Sequence, residues 1–314
     1  MIPTISHIHR AAERIRPYAH RTPVMTCHSL DEYVGAQVFL KCENLQKVGA
    51  FKFRGACNAV FSLSDEQAAH GVATHSSGNH AQALALAARL RGIPAYIVMP
   101  RNAPAVKQAA VAGYGGAITL CEPTLAAREA TLAQVVAETG AEVVHPYNDA
   151  RVIAGQGTAA LELLADVPDL DVILAPVGGG GLLSGTALAA KSIAPHIRVI
   201  AGEPAGADDA FRSLALGEIV PSVAPKTIAD GLLTSLGDLT FPIIREHVEQ
   251  IVTVSEEAIV SSMKFVWERA KLIVEPSGVV PVAVLWEGKI DLRGLRVGVI
   301  LSGGNVDLKR LPWQ

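Results

Sequence analysis

The chain has 314 residues, half of them hydrophobic and only 18% charged, with 27 Lys and Arg against 30 Asp and Glu for a formal net charge of -3. That length holds two domains or one large α/β domain with ample core, and the charge balance lacks the basic excess usual in nucleic-acid binding. The four cysteines, Cys27, Cys42, Cys57 and Cys121, stand far apart with no C-x-x-C pair, which argues against a disulfide frame or a zinc site and for a reducing compartment.

The first ten residues show no charged start followed by an apolar block, and no apolar run nears the roughly 18 residues of a membrane span. The expectation is a cytoplasmic protein with no membrane partner. Ile5 to Ala19 carries apolar positions at helical spacing and is closed by Pro23; His7 and His9 within it lack further ligands nearby and read as helix surface. Val38 to Glu43 predicts a strand leading to a turn at Gly49, with helix from Phe51 onward. Strand and helix then alternate: Val72–His75, helix Ala81–Leu90, strand Ala95–Met99, helix near Ala103–Ala112, strand Ala117–Cys121, helix near Leu125–Glu138 and strand Glu142–His145. The second half repeats the pattern, with a helix near Gly157–Leu164, strand Val172–Val177, helix Leu182–Ile193 and strand Arg198–Ala201. Strands Ile251–Val254 and Val297–Leu301 finish the chain, with helices Glu256–Ala270 and Gly278–Leu285 between them. Apolar strands alternating with helices of this length predict βαβ units and mostly parallel sheets, with a cleft at the carboxyl ends of the strands.

Three strand-to-helix turns and one lysine stand out. Lys52 sits between Phe51 and Phe53, where desolvation would lower its pKa toward a useful nucleophile and base; a lone lysine is otherwise ordinary helix surface. Gly178-Gly179-Gly180-Gly181 exceeds what a tight turn needs and suits an anion held by backbone N–H groups at a helix start. Thr186 stands where a Walker lysine belongs and no G-x-G-x-x-G register fits, so a nucleotide held in the usual way is disfavoured. Ser76-Ser77-Gly78-Asn79-His80 reads either as a helix cap or as a carboxylate cradle, and Ser302-Gly303-Gly304-Asn305 is a third such turn.

Together with Phe51–Ala56, Thr227–Gly231 and Glu275-Pro276, these motifs resemble, in order and over nearly the whole chain, the pyridoxal-phosphate enzymes of the tryptophan-synthase-β fold. The likeness is greatest to the serine racemase and serine/threonine dehydratase family. The resemblance implies a two-domain fold, with residues 1–68 and 149–314 as a large cofactor-binding part and 69–148 as a small, flexible substrate-binding part. It implies that Lys52, flanked by Phe51, holds the cofactor as a Schiff base and moves protons on one face, while Gly178, Gly179, Gly180 and Gly181 hold its phosphate. Asn79 corresponds to the partner of the phenolic oxygen, Ser302 to that of the pyridine nitrogen, and Glu275 joins the cofactor set. A serine hydroxyl cannot stabilise a pyridinium as a carboxylate would, so the ring nitrogen is expected to stay neutral, which suits β-elimination. Ser77 corresponds to the second base, on the opposite face, that racemisation requires. Ser76, Ser77, Asn79, His80 and Thr234 are expected to hold the substrate, and Arg128 either reads a second carboxylate, as in 3-hydroxyaspartate, or is a solvated helix residue.

The stretch Glu203–Asp209 resembles the racemase cation site, with Glu203, the Ala207 carbonyl and Asp209 as hard oxygen ligands for Mg2+ or Ca2+ (or Mn2+). Two departures are visible. Val48-Gly49-Ala50 replaces a hydroxyl-bearing Thr-Gly-Ser, and Tyr147 replaces an Asn near the cofactor; both put racemase efficiency and nucleotide regulation in question. The expected activity is serine racemisation with dehydration of serine or threonine, in a homodimer. The alternatives are a dedicated threonine or 3-hydroxyaspartate dehydratase, a silent cofactor carrier or phosphate-ligand sensor, and, with the Walker lysine absent, least of all a nucleotide-binding protein.

Overall fold

Apolar runs bounded by glycine, proline and polar turns become ten strands in the computed structural model, which describes residues 1–314. They are β1 (Val24–Thr26), β2 (Gln37–Cys42), β3 (Val72–His75), β4 (Ala95–Pro100), β5 (Ala117–Cys121), β6 (Glu142–Val143), β7 (Val172–Pro176), β8 (Arg198–Pro204), β9 (Gln250–Val254) and β10 (Arg296–Leu301). Six form one sheet in the order β1-β2-β10-β7-β8-β9 and four form a second in the order β5-β4-β3-β6. Every pairing is parallel except β1 with β2 at one edge. Helices cover both sheets, so β7, β8 and β10 are almost wholly buried and read as continuous apolar runs. This is the mostly parallel α/β architecture that the alternation predicts.

Parallel register puts the carboxyl ends of the strands in each sheet on one side. The loops after β2, β7, β8 and β10 thus share one rim, and those after β3 and β6 share another. Several element limits differ from expectation for local reasons. The first helix stops at Ile15 rather than Ala19. The helix expected from Gly157 starts at Ala150, because the Asp149 carboxylate caps it by accepting the N–H groups of Arg151 and Val152. β6 has only two residues, since the chain turns sharply at His145 and Pro146. The helix from Glu256 gives way to a π-turn over Val266–Ala270 and ends at Lys271 with φ +59.

One feature of the larger sheet is polar. Lys41, Glu43 and Arg54 are completely buried, and Glu162 is partly buried at their edge. The Arg54 guanidinium forks onto both carboxylates, with Nε–Oε2 of Glu43 at 2.7 Å and Nη1–Oε1 of Glu162 at 2.8 Å. Lys41 Nζ donates to Glu162 at 2.7 Å and to the Thr22 carbonyl at 2.7 Å. Two positive and two negative groups thus cancel, every one hydrogen-bonded, and they pin the helix Lys52–Phe61 to β2 and to the helix Ala150–Asp166. No helix is long and apolar enough to cross a membrane.

Candidate active site

Lys52 is the first residue of its helix, reached through the left-handed residue Val48 (φ +56). The turn is anchored by Phe51 N–H donating to the Ser302 carbonyl and by Asn305 Nδ2 donating to the Val48 carbonyl at 2.7 Å. Lys52 Nζ donates to the Pro146 carbonyl at 2.7 Å and lies 5.1 Å from the Phe51 ring centre. Burial without a counter-ion lowers its pKa to about 8. Phe53 contributes nothing to this. Helical geometry turns it away into the core, where Lys47 rather than Lys52 lies over its ring.

The four glycines follow β7 and open the helix Gly181–Ile193. All are buried, and the backbone N–H groups of residues 178 to 183 donate to no protein acceptor. Gly180 has φ +86, and a Cβ on Gly179 would run into the ring of Tyr147. Side chains are therefore excluded from a row of free donors at a helix N-terminus, which fits a phosphate.

The second turn, after β3, is half-buried and built differently. Ser76 Oγ accepts the Gly78 N–H at 3.3 Å, while the N–H groups of Ser77, Asn79, His80 and Ala81 are free of protein acceptors. His80 points its ring inward, with Nε2 donating to the Val144 carbonyl at 3.1 Å; burial pushes its pKa down to about 3, so it is a neutral strut. Its contribution to the cleft is its backbone N–H. Asn79 faces the other sheet. Its Nδ2 donates to Glu275 Oε1 at 2.9 Å, and its Oδ1 accepts from Asn305 Nδ2 at 2.9 Å. Glu275 also accepts the Asn305 N–H at 3.0 Å, and burial, reinforced by Asp230, pushes its pKa up to about 7. Ser302, directly after β10, is buried.

Thr234 is exposed and faces the Tyr147 hydroxyl. Arg128 lies in the first turn of the helix Leu125–Thr139, and its buried Nε has no partner; the pKa of nearby His75 is lowered mainly by burial, with Arg128 adding to the effect and Glu129 opposing it. Asp230, beside the glycine turn, pairs with Lys107 of the smaller sheet at 2.6 Å. The sequence signal missed the Pro146 carbonyl, Asn305 as hub of the Val48–Asn79–Glu275 network, and the Lys107–Asp230 bridge. All are long-range pairings that leave no local pattern, although Asn305 lies in a turn already singled out.

Glu203 and Asp209 lie apart from Lys52, at the end of β8 and the start of the helix Asp209–Leu216, with Ala207 in the 3-10 turn between them. Glu203 accepts the N–H groups of Ala210 and Phe211, both at 2.8 Å. Burial pushes its pKa up to about 8 and that of Asp209 up to about 6, each raised further by acidic neighbours. Asp209 Oδ2 is buried without a partner, and no third acidic, histidine or cysteine side chain joins the pair. Two adjacent buried carboxylates with an orphaned oxygen fit a hard divalent cation.

Comparison with known proteins accords with this geometry. Residues 15–303 match the family model described as pyridoxal-phosphate dependent enzyme. The chain is 55% identical to the beta-hydroxyaspartate dehydratase of Paracoccus denitrificans, covering 100% of this chain and 99% of the relative. It is 50% identical to the serine racemase of Dictyostelium discoideum, over 98% of this chain and 96% of the relative. Among solved structures, maize serine racemase superposes with a TM-score of 0.96 at 50% identity, covering 98% of this chain and 95% of that one.

Proposed function

The chain belongs to the pyridoxal-phosphate dependent enzymes, and from that premise we propose that it acts on small β-hydroxy amino acids, with serine racemisation alongside: water leaves across the α- and β-carbons, and the resulting enamine turns into an imine that takes water back, so the net products are a 2-oxo acid and ammonia. The observation that carries this reading is the convergence of a buried amine, Lys52, with two separate rows of free backbone donors, one sealed and one open. When bound, the cofactor supplies a sink for the electrons left on the α-carbon.

The chain's own residues do the rest. The row from Gly178 to Gly181 holds a phosphate, and the Ser76–Ala81 turn holds the substrate α-carboxylate. Phe51, Asn79, Glu275 and Ser302 would hold the cofactor ring, and Thr234 would contact the substrate. Lys52, with its pKa lowered to about 8 by burial, divides between amine and ammonium near neutral pH and so both takes and returns the α-proton. Ser77 serves the opposite face, which racemisation needs and elimination does not. Glu203, Asp209 and the Ala207 carbonyl hold Mg2+ or a similar cation.

A second reading rests on Arg128. A half-buried guanidinium with no carboxylate partner is suited to a substrate's second carboxylate, which favours 3-hydroxyaspartate as the preferred substrate. The paired readings are tested by following 2-oxo acid, ammonia and D-serine from L-serine, L-threonine and each 3-hydroxyaspartate isomer, with Mg2+ present. No turnover of any of these would leave a silent carrier. We also infer that residues 69–148 move as a unit on the remainder, with Lys107–Asp230 and the Asn79 bonds to Glu275 and Asn305 among the ties that must open. The protein works in the cytoplasm as a homodimer. The exposed Leu45 and Ile273, joined through Asn44 Nδ2 on the Ile273 carbonyl, offer apolar surface for that pairing.

A further inference from the structure

The turn that brings Pro146 and Tyr147 into the cleft is organised by a side chain to which the proposed reaction assigns no task. His145 follows β6, and its Nδ1 faces back onto its own backbone, accepting the Asn148 N–H at 2.9 Å and the Tyr147 N–H at 3.4 Å. A ring nitrogen that accepts carries no proton, so the imidazole is the neutral Nε2–H tautomer. Burial, helped by His75 and Lys52, lowers its pKa to about 4, which keeps it an acceptor at neutral pH. The ring stands edge-on to Tyr147, with centres 4.6 Å apart, and to His75 at 6.1 Å.

The far end of the turn is fixed separately. Asn148 Oδ1 accepts the Leu239 N–H at 2.9 Å, and Asp149 caps the next helix. Between these anchors lies Pro146, whose φ is locked by its ring and which has no N–H of its own. Its carbonyl lies in the Pro146–Tyr147 peptide, so its direction is set by the Tyr147 N–H of that peptide and the Asn148 N–H of the next, the two groups His145 holds.

We propose that His145 is a positioning residue: the acceptor at its Nδ1 sets the turn that fixes the Pro146 carbonyl on Lys52 Nζ and the Tyr147 ring against the glycine row. The proposal rests on the reading of Lys52 as the reactive amine. It accounts for a half-buried, uncharged histidine at the point where the chain passes from the smaller sheet back to the larger one.

Two variants separate positioning from packing. His145→Asn keeps an acceptor at nearly the place of Nδ1, whereas His145→Gln moves its polar atoms one carbon further out, toward Nε2. Turnover of the preferred hydroxy amino acid should stay within about threefold in the Asn variant, while kcat in the Gln variant falls about tenfold to a hundredfold with KM nearly unchanged. A second readout needs neither cofactor nor substrate: the pH midpoint for labelling of Lys52 by an amine-directed reagent, followed by mass spectrometry on protein stripped of cofactor. A hydrogen bond to a carbonyl favours the ammonium, so losing it should move the midpoint down in the Gln variant and leave it in place in the Asn variant.

Equal behaviour of the two variants, whether both active or both impaired, overturns the proposal, as does a midpoint common to all three proteins. Should neither variant fold, nitrogen NMR of the histidine ring in the unaltered protein decides. An unprotonated Nδ1 supports the proposal and a protonated one overturns it. Because labelling is independent of turnover, a failure of the enzymatic reading remains distinguishable from a failure of this one.

Discussion

Two turns face the cleft with unpaired backbone donors, and they are built in opposite ways. The one at Gly178–Gly181 is buried throughout, has no side chains, and is walled by Tyr147, Leu232 and Thr240. The one at Ser76–His80 is half-buried, carries hydroxyl and amide side chains, and belongs to the smaller sheet, which meets the larger one through polar ties such as Lys107–Asp230 and Asn79–Glu275. Both use the same helix-terminus chemistry. The difference in enclosure assigns them different occupants: a sealed row suits a group that stays, and an open row with adaptable side chains suits one that enters and leaves on each turnover.

Lys52 lies between the two and should give the largest effect when altered. Lys52→Ala is expected to lower turnover by about 10²- to 10⁴-fold, while a phosphate-bearing ligand still occupies the glycine row; equilibrium dialysis alongside a rate assay checks both. Loss of ligand together with turnover would mean that the two turns do not act separately. Next in size is Ser77→Ala, in the open turn. D-serine formation should fall by about 10²-fold, with 2-oxo acid formation much less affected, and chiral chromatography with a keto-acid assay reads the ratio. A parallel fall in both products would make Ser77 a binding contact rather than a second base.

Gly179→Val attacks the sealed turn. The new side chain must displace the Tyr147 ring, and overpacking of this kind costs about 1–3 kcal/mol, so cofactor affinity should drop about tenfold to a hundredfold in a fluorescence titration. Arg128→Gln sharpens the substrate side. Loss of one charged hydrogen bond, about 1.5–3 kcal/mol, should cut kcat/KM for 3-hydroxyaspartate at least tenfold relative to serine. An unchanged ratio would return Arg128 to the solvated helix face.

The smallest effect concerns Glu203 and Asp209, which belong to neither turn. Their pKa values in the folded chain, about 8 and about 6, lie above ordinary carboxylate values, so the cation-free native state holds protons that the unfolded chain releases. Stability without a cation should therefore fall as pH rises from about 5 to 8, and a chelator should lower Tm by a few degrees more at pH 8 than at pH 6. A chelator effect that is the same at both pH values would sever these carboxylates from cation binding.

The alternation of apolar strands and helices, the Gly178–Gly181 turn and the position of Lys52 at a helix start are all legible in local sequence, because each depends on periodicity or on backbone chemistry within a few residues. What escapes is whatever depends on a partner far along the chain. Phe53 sits beside Lys52 in sequence but in the core in space, so of the two flanking aromatics only Phe51 lies near the amine. Asn79 shows itself as a cap residue, but its bonds go to Glu275 and Asn305, about two hundred positions away. The start of the helix at Ala150 was discoverable from Asp149, a capping side chain that the apolar spacing does not register. The direction of the Pro146 carbonyl has no sequence signature at all.

The four charges around Arg54 bear on how this chain can change over time. Lys41, Glu43 and Arg54 are fully buried and balanced by one another and by the partly buried Glu162, so removing Glu43 or Arg54 strands an opposite charge in the core, at a cost of about 3–5 kcal/mol from a total stability of about 5–15 kcal/mol. Apolar substitutes of matching shape are tolerable only when introduced together. The helix that carries Lys52 is thus hard to reach by single mutational steps. Variation between lineages should accumulate in the open turn and its flanking helices, where a new substrate preference can be tried without first crossing an unfolded intermediate.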